Sequence, residues 1–198
     1  MATAMNTTEG LVASYILDAA KSRFLVKATA TGLLSAFGHN PTFAIRRFTG
    51  EAWFRLQAPE RSSVRMRIDA NSLTVTGDVN DKDRNEMERA MREDVLETAR
   101  YPEIMFESST VQANKITAGM YRMTLGGKLT LHGVARDKEI PCNVTVGEDG
   151  MRAHGEFRIL QTHFAIKLVS VAGGTLKMKD ELKFSFDITG HRQREAGQ

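Results

Sequence analysis

Cysteine is nearly absent from this chain of 198 residues, and Cys142 is the only one. A single cysteine excludes an internal disulfide and any cysteine-rich metal site. No run of 18 or more apolar residues occurs, so no membrane-spanning helix is expected. The segment from Met1 to Gly10 has neither the basic nor the apolar region of a signal peptide, which predicts a cytoplasmic protein. The net charge is only +3, without a dense basic run, so nucleic-acid binding is not expected.

Alternation of apolar and polar residues fills most of the chain, and this period of two is typical of strands with one buried face. In the stretch 183–188, Phe184, Phe186 and Ile188 share one face, and polar residues share the other. The same pattern occurs in residues 65–70, 121–131, 140–146 and 152–159, and further strands are expected around residues 15–17, 22–30, 42–56 and 103–118. So many closely spaced strands predict an all-β fold, an antiparallel β-barrel of about eight strands.

One segment has helical spacing instead. Between Asn80 and Leu96 the apolar residues recur every three or four positions, as they do on one side of a helix. Asn80 or Asp81 is suited to cap its start. The other sides of this segment are heavily charged, which predicts one short helix packed at the barrel with a single buried stripe.

Motifs of catalysis are missing. The chain contains no G-x-S-x-G elbow, P-loop or dinucleotide fingerprint, and no pair of histidines spaced for a metal, so neither a catalytic residue nor a metal site is predicted. His39 lies in the turn Gly38-His39-Asn40-Pro41 beside Phe37. It is interpreted either as a loop histidine that bonds the backbone or as a polar group that orients a ligand head group at the barrel mouth.

The inward faces of the predicted strands define a candidate pocket. A barrel of about eight strands is either filled by side chains or holds one small ligand. Small residues at Ala28, Ala52, Gly127 and Gly155 favour space inside. The residues predicted to line the pocket are Phe24, Val26, Phe37, His39, Phe54, Met66, Ile68, Phe106, Phe157, Phe184 and Phe186.

Several ordered motifs resemble the YceI-like family. They are the opening stretch 15–24, Asp83-Arg84, Asp94-Val95-Leu96, the Tyr-Pro and Phe-x-Ser pattern in 101–109, the hairpin 127–136 and Lys179-Asp180-Glu181-Leu182. The resemblance runs from about residue 15 to residue 188. It implies a lipocalin-like barrel with a helix, an elongated apolar pocket and a polyisoprenoid-type ligand such as an isoprenoid quinone.

The leading prediction is therefore non-enzymatic binding of an isoprenoid or other long-chain amphiphilic lipid, with no cofactor apart from a bound lipid or quinone. One alternative is a hydrolase-like or transferase-like enzyme that uses His39 with a carboxylate such as Asp180 or Glu181. Another is a barrel with a filled core that acts as a protein-interaction module. We expect a disordered tail over residues 1–13, one YceI-like domain over 14–190 and a polar tail over 191–198, and a homodimer is compatible with the sequence.

Overall fold

The computed structural model describes residues 12–31, 40–171 and 176–193. The strands are β1 Val12–Lys27, β2 Ala30–Thr31, β3 Thr42–Ile45, β4 Phe48–Arg55, β5 Ser63–Asp69, β6 Leu73–Thr76, β7 Glu103–Thr117, β8 Met120–Leu131, β9 Val134–Val146, β10 Gly150–Leu160, β11 Ser170–Val171, β12 Leu176–Met178 and β13 Glu181–Arg192. The helices are α1 Asp81–Ala90, which continues as a π-helical turn Met91–Val95, and the 3₁₀ helices Pro59–Arg61, Ala70–Ser72 and Gln161–Phe164.

Eight strands close into an antiparallel barrel. The order is β13, β10, β9, β8, β7, β5, β4 and β1, and pairing of β1 with β13 closes the ring. This lipocalin-like barrel confirms the predicted fold class. Because α1 and the β8–β9 turn lie at the same end of the barrel, we call that end the helix end and the opposite one the far end. No helix in the described part of the chain is long and apolar enough to cross a membrane.

Strand β1 changes partner halfway along its length. Before a bulge between Asp18 and Arg23 it pairs with β4, and after the bulge it pairs with β3, while β13 stays on its other side. The Asp18 carboxylate accepts hydrogen bonds from the backbone N–H groups of Ala20 and Lys21, which fixes the bulge. The sequence predicts two strands here, around residues 15–17 and 22–30, and the structure has one continuous strand with a bulge.

A second correction concerns residues 42–56, which were expected as one strand. They form β3 and β4, separated by Arg46 and Arg47. Strand β3 pairs antiparallel with the short strand β6, and the other edge of β6 faces α1. Side chains of the helix take up the backbone hydrogen bonds of Val75 at that edge. The carboxylate of Glu88 accepts from Val75 N at 2.9 Å, and the guanidinium of Arg84 donates to Val75 O at 2.6 Å.

The predicted helix is confirmed, and its cap is Asn80. The side-chain oxygen of Asn80 accepts a hydrogen bond from Asp83 N at 3.0 Å. The buried stripe runs through Met91 to Leu96, both of which pack into the barrel core. The helix therefore covers the helix end of the barrel and contributes side chains to its interior.

Candidate functional site

A cavity of about 150 Å³ lies inside the barrel. It reaches the helix end, where Leu96, Leu131, Gln161 and Ile166 bound it. Its remaining wall is formed by inward side chains of the barrel strands and of β3, β6 and the π-helical turn, among them Leu17, Phe24, Val26, Ile45, Met66, Ile68, Leu73, Val95, Phe106, Leu125, Leu129, Ile140, Cys142, Val144, Ala153, Phe157, Leu182, Phe184, Phe186 and Ile188. The interior is thus not completely filled by side chains.

Most of the residues predicted to line a pocket are brought together here. Phe24, Val26, Met66, Ile68, Phe106, Phe157, Phe184 and Phe186 all line the cavity. Phe54 does not, because it lies towards the far end and packs against Tyr121 with 5.0 Å between ring centroids. Phe37 and His39 lie outside the described residues, so Phe37 as a lining residue and His39 at the barrel mouth stay predictions.

Aromatic rings form one side of the cavity. Phe157 and Phe184 stack with their centroids 4.7 Å apart and their planes 9° from parallel. Phe24 meets Phe184 and Phe186 edge to face at 6.2 and 6.0 Å. Met66, Phe184 and Phe186 point into the barrel and yet are only half-buried. They border the cavity, so they are lining side chains with room to move.

The small inward residues do not create this space, contrary to the sequence prediction. A Cβ atom at Gly155 would lie 2.8 Å from the Phe186 ring, so that ring occupies the room that the glycine leaves. A Cβ atom at Gly127 would overlap the carbonyl oxygen of Glu107 on β7. Ala52 is buried in the packed core. Glycines at these sites allow close approach of a ring or a backbone, and the cavity lies beside them.

Polar groups are few in the cavity wall, and they are already bonded or neutral. Gln161 donates from its amide nitrogen to Lys179 O at 2.8 Å. Burial raises the pKa of the Cys142 thiol to about 12, so this cysteine is protonated and a poor nucleophile. Within the described residues, every buried side-chain nitrogen and oxygen has a hydrogen-bond partner. The wall therefore offers a ligand hydrocarbon surface and almost no polar contact.

The two carboxylates considered for an enzyme have structural partners. Asp180 accepts from the Thr162 N–H at 2.9 Å and from the Thr162 hydroxyl at 2.6 Å. Burial raises the pKa of Asp180, but these hydrogen bonds outweigh it and lower the pKa overall. Glu181 pairs with Arg158 at 2.9 Å. No group of three or more potential metal ligands occurs among residues 12–31, 40–171 and 176–193.

Two of the lining residues at the helix end, Gln161 and Ile166, were missed by sequence reasoning, and they lie in and after a 3₁₀ helix. Leu131, the last residue of β8, was placed on the apolar face of the stretch 121–131 but was not named as a pocket residue. The segment of Gln161 and Ile166 has no alternation, so no periodic signal marks them as inward-facing. The one sequence signal for this part of the cavity was the apolar stripe that ends at Leu96, because it predicts that one side of the helix packs against the barrel.

Solved structures of low sequence identity share this fold. BcnA of Burkholderia cenocepacia is 21% identical and superposes with a TM-score of 0.64 over 87% of this chain and 98% of its own. A polyisoprenoid binding domain from Saccharophagus degradans, implicated in plant cell wall breakdown, is 15% identical, with a TM-score of 0.63 over 90% and 98% of the two chains. The YCEI protein of Campylobacter jejuni is 15% identical, with a TM-score of 0.54 over 77% and 85%.

Family membership rests on the sequence itself. No curated protein matches the chain. Residues 15–190 match the YceI-like domain, which covers nearly all of the barrel described above. This match confirms the resemblance seen in the ordered motifs. The chain therefore belongs to the YceI-like family.

Proposed function

We propose that the protein binds an isoprenoid or other long-chain amphiphile noncovalently inside the barrel and carries out no reaction on it. The observation that carries the proposal is the cavity, whose wall is apolar apart from the Gln161 amide and the Cys142 thiol. Burial of a hydrocarbon chain contributes about 0.8 kcal/mol per CH₂ group, so such a wall binds a chain with few polar contacts. The structural likeness to a polyisoprenoid binding domain supports the same ligand class.

The size of the cavity sets a condition on this proposal. A cavity of about 150 Å³ holds a molecule the size of benzene in other proteins. A long chain therefore enters only when lining side chains move. Met66, Phe184 and Phe186 are suited to this role because they are half-buried and border open space.

The two alternatives have less support. An enzyme needs a group that donates or accepts a proton beside a reacting atom, whereas Asp180 and Glu181 are engaged by Thr162 and Arg158. A module with a filled core is difficult to reconcile with the open space in the barrel. Neither alternative explains why the inward faces of β10 and β13 line an apolar cavity.

A cavity-filling variant tests the proposal. Ala153 lines the cavity, whereas Ala135 is exposed on β9, so Ala153→Leu and Ala135→Leu make the same change inside and outside the barrel. Delipidated proteins are titrated with isoprenoid alcohols of increasing length, and displacement of an apolar fluorescent dye is followed. We expect Ala153→Leu to fold normally and to weaken binding at least tenfold, while Ala135→Leu binds like the parent. Equal affinities for the three proteins would refute binding in the cavity.

A further inference from the structure

The barrel wall opens between β9 and β10 towards the helix end. The two strands pair only from Met151 opposite Val146 to Gly155 opposite Cys142. Beyond that point, the described residues 156–160 of β10 pair with β13 alone, and residues 134–141 of β9 pair with β8 alone. The 3₁₀ helix Gln161–Phe164 fills part of the widening gap, and the Arg136 guanidinium donates from Nε to His163 O at 3.0 Å.

Two cations of β9 belong to the cavity-facing side of the sheet at this opening. Arg136 pairs with Leu129, and Lys138 pairs with Gly127 on β8. Paired residues point to the same face of a sheet, and Leu129 lines the cavity. Ile140, two residues after Lys138, also lines the cavity. Arg136 and Lys138 thus occupy positions that would be apolar in a closed wall.

Neither cation has a carboxylate partner among the described residues, in contrast to their neighbours. On the outer face, Asp137 of β9 pairs with Lys128 of β8 at 2.7 Å, and Glu156 of β10 pairs with Lys183 of β13 at 2.8 Å. Arg158 pairs with Glu181 at 2.9 Å. The wall around the opening is therefore matched in charge, and the unmatched positive charge lies on the inner side of β9.

Arg136 and Lys138 line a notch of about 240 Å³ at this gap. The carboxylates of Asp137 and Glu181 also border the notch, but each is paired with a cation, Lys128 and Arg158 respectively. The notch and the cavity share no lining residue, but they lie two residues apart along both strands. Lys138 precedes Ile140 by two residues, and Ile159 of the notch follows Phe157 of the cavity by two, so each step is about 7 Å. Buried Ile159 and Phe164 lie in the notch wall on the cavity side.

We propose that this notch holds the anionic head group of the amphiphile whose chain occupies the cavity. The inference rests on the proposed function and adds the head-group class, an oxyanion such as phosphate. Arg136 offers N–H groups in a planar fork and Lys138 offers an ammonium group, a combination suited to a phosphate oxyanion. The chain then runs from the notch past Ile159 and Phe164 into the barrel.

The test compares an isoprenoid alcohol with its monophosphate, which share the chain and differ in the head group. Lys138→Gln is the decisive variant because Lys138 has no ion-pair partner in the described chain. Arg136 is less suitable, because its hydrogen bond to His163 O also stabilises the 3₁₀ helix. We expect the wild-type protein to prefer the monophosphate, and Lys138→Gln to reduce that preference about tenfold, the effect of one lost charge-assisted hydrogen bond. Affinity for the alcohol should not change.

Controls separate the notch from other causes. Lys138→Arg should keep the preference, and Arg122→Gln, which removes an exposed charge of β8, should also keep it. Inorganic phosphate should compete poorly, because it lacks the chain. Equal binding of alcohol and monophosphate by the wild type would overturn the head-group site and leave the proposed function intact, whereas binding of neither compound would overturn both. Loss of both ligands in Lys138→Gln would show that Lys138 only maintains the fold.

Discussion

The Nε2 atom of His132 lies 3.1 Å from the Oε1 atom of Glu97, and its Nδ1 atom lies 3.2 Å from the carbonyl oxygen of Phe164. Both partners are acceptors, so a ring with one N–H donates to one of them only, and a doubly protonated ring donates to both. His132, Glu97 and Ala165 are the non-glycine residues with positive φ in the described chain, at 51°, 45° and 56°. The contact therefore joins three tightly turned segments at the helix end, directly beside the cavity.

The first prediction concerns this junction. His132→Leu removes the contacts of the ring with Glu97 and Phe164 and should lower the free energy of unfolding by about 1–3 kcal/mol, because a buried acceptor loses its donor. His132→Asn should lower it less, since asparagine tolerates positive φ and can still donate. His154→Leu, on an exposed position of β10, should have little effect. Chemical denaturation of the four proteins measures the differences, and identical midpoints would show that the His132 contacts do not stabilise the barrel.

The second prediction concerns the register shift in β7 between Ser108 and Thr110, which lies opposite Gly127 and Gly126 of β8. A Cβ atom at Gly127 would overlap the carbonyl oxygen of Glu107 and lie 2.7 Å from the Cα atom of Ser108. Gly127→Ala should thus force the backbone of β7 to shift and cost about 1–3 kcal/mol of stability. At Gly147 the nearest atom would be Gly150 O at 3.6 Å, an ordinary contact, so Gly147→Ala is the matched control. If Gly127→Ala and Gly147→Ala unfold at the same temperature, the close approach of β7 to Gly127 is disproved.

The third prediction concerns Cys142. Burial raises the pKa of its thiol from the ordinary value of 9.0 to about 12. At pH 9.0 the folded protein should react with a thiol reagent far more slowly than the denatured chain, since only the thiolate attacks and the side chain is buried. An isoprenoid in the cavity should slow the reaction further. A folded protein that reacts as fast as the denatured chain would place Cys142 outside the closed interior.

Alternation predicted the barrel because it reports directly which face of each strand is buried. It also placed Phe106, Phe157 and Phe184 correctly on the inner face. It could not separate Phe54 from them, because periodicity gives the face of a residue and not its height in the barrel. Phe54 shares the inner face but belongs to the packed far end with Tyr121.

Other features depend on contacts between distant segments. The bulge of β1 is stabilised by Asp18 and by Ser22, whose hydroxyl accepts a hydrogen bond from Thr189 N on β13. No local sequence pattern predicts such a contact between distant segments. The notch was visible in principle. Arg136 and Lys138 have the same parity as Ile140 in the alternating pattern of β9, so charge on an inner face was the available signal.

The most direct test of the account is organic extraction of the natively purified protein followed by mass spectrometry. Extracts of the parent and of Ala135→Leu should contain an apolar long-chain compound in stoichiometric amount, because the cavity of both can take a chain once its lining side chains move. Extracts of Ala153→Leu should contain much less. An extract of the parent without any such compound, from a protein that also fails to take up isoprenoids when they are supplied, would contradict the claim that this barrel is a lipid-binding site.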